Sequence, residues 1–138
     1  MAEEIGENVR ALLRNCITSY ERLEILLLLH RQPAQLWNVS SVEAQVYIPA
    51  DRTLETLECL REFGLLEAVS SASGVLFRYA PARPDLAEAV EALAHAFKEQ
   101  RATVVGVMST NAIERVRMAA PGAFADAFIL KKRKPEDG

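Results

Sequence analysis

The chain has 138 residues, half of them hydrophobic and a quarter charged, with six glycines, six prolines and a formal charge of −3. That balance excludes a disordered, collagen-like or low-complexity chain, and it gives no general basic footprint for nucleic acid. Two cysteines exclude a disulfide framework. The acidic N-terminus has no apolar core of the kind a secretory signal needs. The longest apolar run, Ile25 to Leu29, is far short of the ~20 residues of a membrane span. A single cytoplasmic domain is expected.

In chain order, Ile5, Val9, Leu12 and Leu13 form a helical stripe over about Ala2 to Asn15. Ser19 reads as the N-cap of a helix beginning at Tyr20, whose second half, Ile25 to Leu29, is apolar on every side. Such a helix belongs at the centre of a core. Pro33 stops it, and Gln35 to Val39 is a short extended piece. Ser40 and Glu43 stand at capping-box spacing and open a helix through about Ile48. Asp51 is the expected N-cap of the next helix, Arg52 to Phe63, with Leu54, Leu57, Leu60 and Phe63 as its apolar face and Gly64 just past its end.

Leu65–Val69 and Val75–Ala80 are β-prone runs joined by Ser71-Ala72-Ser73-Gly74, which predicts a hairpin. Asp85 then opens a long helix to about Ser109. Two shorter helical stretches, Asn111–Met118 and Ala123–Leu130, follow around Pro121-Gly122. The fold class is therefore mainly α with one small hairpin. It divides into an N-terminal helix (1–18), a central unit (19–80) and a C-terminal helical extension (81–138). Charge divides too: residues 1–94 carry eight basic against fourteen acidic side chains, residues 95–138 eight against five.

Residues 19–80 read helix, short strand, helix, turn, helix, hairpin. With the string Thr53-Leu54-Glu55-Thr56-Leu57-Glu58-Cys59-Leu60-Arg61-Glu62-Phe63-Gly64-Leu65-Leu66, this resembles the winged helix-turn-helix domain of MarR- and ArsR-type transcription regulators. The resemblance covers about 60 residues. It implies a regulator that places the polar face of its second motif helix in the major groove, and flanking helices that build a dimer. On this chain the residues suited to DNA are Arg52, Thr53 and Thr56, then Arg78 on the second strand and the basic run Lys131, Lys132, Arg133 and Lys134.

The residues of that helix also point elsewhere. At 100° per residue, Asp51, Glu55, Glu58 and Glu62 fall within about 60° of one another. Four carboxylates on one face repel phosphate and suit a basic protein surface. A protein-docking module using those four is therefore the alternative to a DNA reader, and a small-ligand sensor with a pocket against the long helix is a third reading. In the long helix, Leu86, Leu93 and Gln100 repeat by sevens, as do Val90, Phe97 and Val104. The stripe fits a homodimer seam, on which Gln100 would fix register, or a helix packed on its own core; a dimer is the expectation, because the helix is longer than so small a domain covers. The N-terminal stripe is a second candidate for that interface.

The remaining chemistry is sparse. His30 and His95 stand on different helices without ligand-spaced partners, His30 near a helix C-terminus. Cys59 lies at the polar edge of the acidic helix, a candidate redox thiol with no Lys or His beside it, and Cys16 lies on an apolar stripe. No phosphate loop, nucleophile elbow or dinucleotide fingerprint occurs, so no cofactor, metal or enzyme activity is expected.

Overall fold

The computed structural model describes residues 5–132, with side chains described through residue 118. Six helices and one hairpin follow in the order α1 (Glu7–Asn15), α2 (Tyr20–Arg31), α3 (Val39–Val46), α4 (Ala50–Glu62), β1 (Leu66–Ser71), β2 (Gly74–Tyr79), α5 (Pro84–Glu99) and α6 (Arg101–Lys132).

The core is organised round α2. Ser19 Oγ accepts from the Arg22 amide at 3.1 Å, giving the first turn one of its missing partners. Leu23 and Ile25 through Leu29 are all buried. A helix so apolar needs cover on every side. α4 and β2 lie against it, α3 joins them, and α1 packs on α5 and α6. One continuous apolar cluster runs from Ile5 to Met108.

The connector after Pro33 is held by a two-way backbone pairing. Trp37 N donates to Phe77 O at 2.8 Å, and Phe77 N to Trp37 O at 2.7 Å. β1 and β2 are antiparallel, with Leu66 opposite Tyr79 and Ser71 opposite Gly74, joined by the two-residue turn Ala72-Ser73. α4 ends where expected. Gly64 has φ +83, its amide reaches Arg61 O, and Leu65, fully buried, returns its amide to Leu60 O. Glycine enters the left-handed region without the Cβ penalty of other residues. Helix, bridged connector, helix-turn-helix and hairpin together form a winged helix-turn-helix.

Several local expectations are corrected. The capping box of α3 is Asn38 with Ser41, not Ser40 with Glu43. Asn38 Oδ1 accepts from Ser41 N at 2.7 Å, and Ser41 Oγ from Asn38 N at 3.0 Å. Asp51 does not cap α4; the helix starts from Pro49, and Asp51 lies in its first turn, where its charge still complements the helix dipole.

The expected seam does not face outward. Val90, Leu93 and Val104 are fully buried in the chain's own core, and Leu86 and Phe97 are half-buried. Gln100, the register residue of that reading, is where the long helix breaks into α5 and α6, with φ −139 and ψ 54. Arg101 secures this joint, its guanidinium 4.5 Å over the Phe97 ring and bonded to Tyr20 Oη at 2.9 Å. The two short C-terminal helices are instead one: α6 continues through Pro121-Gly122. Pro121 removes one backbone hydrogen bond and crowds the turn before it, yet the helix runs on past it.

Candidate functional site

The outward face of the helix-turn-helix begins at the turn. Tyr47 caps α3 with φ 61 and ψ 38, and among the described residues it alone has a positive φ without being glycine. The left-handed conformation costs a side-chain-bearing residue roughly 1–2 kcal/mol. Its ring is 87% exposed. Ala44, Pro49 and Ala50 beside it in sequence are exposed as well. With Ser40, Glu43 and Ile48, Tyr47 also borders an open depression of about 550 Å³.

α4 carries the face onward and corrects the DNA-contact expectation. Thr53 and Thr56 are buried, at 0% and 6% exposure, while Leu54 is 43% exposed. Thr53 Oγ1 donates to Ile48 O at 2.9 Å, so the hydroxyl is satisfied inside and ties the helix to the turn before it. Both threonines belong to the inner face with Leu57 and Leu60. Neither is available to a groove.

What the solvent meets on α4 is acidic. Asp51, Glu55 and Glu62 are exposed and Glu58 partly so, along one stripe beside Ala50 and Leu54. The two arginines of the helix are already engaged: Arg52 pairs with Glu21 of α2 at 2.7 Å and Arg61 with Glu58 at 3.0 Å. On the wing, Arg78 sits opposite Glu67 in register and pairs with it at 3.0 Å. The tip is Ser71-Ala72-Ser73-Gly74, where Ser71 Oγ closes the turn onto Gly74 O. Lys131 and Lys132 stand at the end of α6 with side chains outside the described set, and Arg133 and Lys134 lie outside the described residues.

The other singled-out residues separate into pairs that sequence distance hides. Cys59 Sγ lies 3.6 Å from Arg22 Nη2, a cation contributed by α2. The same guanidinium covers the Phe63 ring at 5.6 Å and bonds Cys16 O and Thr18 Oγ1. Cys16 is half-buried, and burial pushes its thiol up. His30 pairs with Glu91 of α5 at 2.9 Å and meets the Tyr79 ring edge-on at 5.1 Å. Tyr79 is pushed up to about 12, first by burial and then by the Glu91 charge. His95 is exposed. Among the described residues, no three His, Cys, Asp or Glu side chains gather as a metal site, and no helix is long and apolar enough to cross a membrane.

No protein-family model matches the chain, and no curated protein sequence does. Solved structures resemble it in fold. An ArsR-like transcriptional regulator from Rhodococcus sp. RHA1 aligns at a TM-score of 0.47 and 20% identity, over 74% of this chain and 92% of that one. The transcriptional regulator BldR from Sulfolobus solfataricus gives 0.46 and 18%, over 67% and 68%. An apo form of ZitR from Lactococcus lactis gives 0.48 and 16%, over 81% and 84%.

Proposed function

We propose that this chain is a regulatory winged-helix module, not an enzyme, and that its helix-turn-helix face docks a protein instead of reading DNA. The observation that carries this reading is the composition of the outward face of α4. Four carboxylates lie there beside exposed Leu54, and both arginines of the helix are held in ion pairs. A groove-reading helix needs donors and cations where this one presents acceptors. Apolar residues ringed by one sign of charge suit a protein partner of the opposite sign.

The same reading moves the homodimer contact from α5 to α6. Residues 112–118 of α6 are all exposed. Val105, Ala112, Ile113 and Val116 fall on one side of the helix at 100° per residue, and Ile113 and Val116 are 56% and 65% exposed. Arg115 ties this stretch to Thr18 O at 3.3 Å, but its exposed apolar side chains are uncovered, and a second copy would cover them. Light scattering coupled to size exclusion measures this directly: twice the chain mass is expected, and a monomer at high concentration removes the dimer.

Fluorescence anisotropy of a labelled mixed-sequence duplex, titrated at low and at physiological salt, tests the docking reading. No binding is expected at physiological salt. Weak binding confined to low salt belongs to the basic run, where about four phosphate contacts give a log–log salt slope near −4. That binding disappears when Lys131 to Lys134 are neutralised and ignores Arg52→Glu. Binding that persists at physiological salt and is lost on Arg52→Glu overturns the reading in favour of a DNA-binding regulator.

A further inference from the structure

We draw no further inference here: the strongest candidate, the cleft of about 270 Å³ between α2, the end of α3 and the α5–α6 joint, lined by Leu27, Leu28, Phe97, Arg31 and Arg101, carries nothing because its two arginines stand in solvent and nothing in the structure shows what would fill it.

Discussion

α2 and α4 are nearly equal in length, 12 and 13 residues, and lie against each other, yet they spend their surfaces differently. α2 is surrounded: six of its leucines and isoleucines are buried, and its polar residues hold the ends. α4 is covered on one side by a mixed strip of two threonines and two leucines, and its other side is left to four carboxylates, two arginines and one exposed leucine. The first helix makes the fold and the second makes the surface. A change in α2 should therefore register as stability, and a change on the outer side of α4 as binding.

The largest effect expected is at Leu26, which is fully buried in α2. Leu26→Ala should cost about 2–5 kcal/mol by chemical denaturation, through lost transfer energy and the cavity left behind. Leu54→Ala on α4 should stay within about 0.5 kcal/mol, as surface substitutions do. Equal losses at the two sites would break the comparison.

Next comes the end of α4. A Cβ at Gly64 would meet Ala82 Cβ at 3.5 Å and Leu86 Cδ1 at 3.6 Å, ordinary contacts, so the penalty lies in the backbone at φ +83. Gly64→Ala should cost roughly 1–2 kcal/mol, read as a shift in melting temperature.

Smaller again is the charge of the outer side. Glu55→Lys/Glu58→Lys should change stability by no more than about 0.5 kcal/mol, because exposed carboxylates and an exposed i,i+3 pair contribute little. A large stability loss would mean that the acidic stripe serves the fold.

The smallest effect is a pH dependence at the start of α5. Hydrogen bonding to Arg83 holds the Asp85 carboxyl below its usual range. A group with a depressed folded pKa stabilises above its unfolded value, near pH 4, and that contribution is lost as pH falls through the folded value. Denaturation midpoints between pH 3 and pH 6 should therefore show a slightly flatter acid limb in Asp85→Asn.

Much of this is legible along the chain. Ser19 before an apolar run, Gly64 after one, and Ser71 to Gly74 between two β-prone runs are local signals, and each appears in the structure at its place. The apolar stripe of Leu86, Val90, Leu93 and Val104 was equally visible, but its meaning was not. Periodicity reports which side of a helix is apolar and is silent on whether the same chain or another copy covers it. Thr53, Thr56 and Leu54 lie opposite to what polarity alone predicts, for a related reason. Polarity ranks Leu54 inside and the threonines outside, but Thr53 finds an acceptor at Ile48 O, so burying its hydroxyl leaves nothing unsatisfied. Asn38–Ser41 and Ser40–Glu43 both match a three-residue spacing, and only the backbone path selects the first as the cap.

The sequence by itself determined the order of helices and hairpin, the central place of α2, the stop at Gly64 and the acidic character of α4, because each depends on residues within one or two turns of one another. Tertiary structure decided what those elements present. It turned the α5 stripe inward, broke the long helix at Gln100, engaged Arg52 with Glu21, and brought Arg22 to Cys59 and Glu91 to His30. These partners are separated by up to 61 residues along the chain, and packing around one apolar helix brings them into contact.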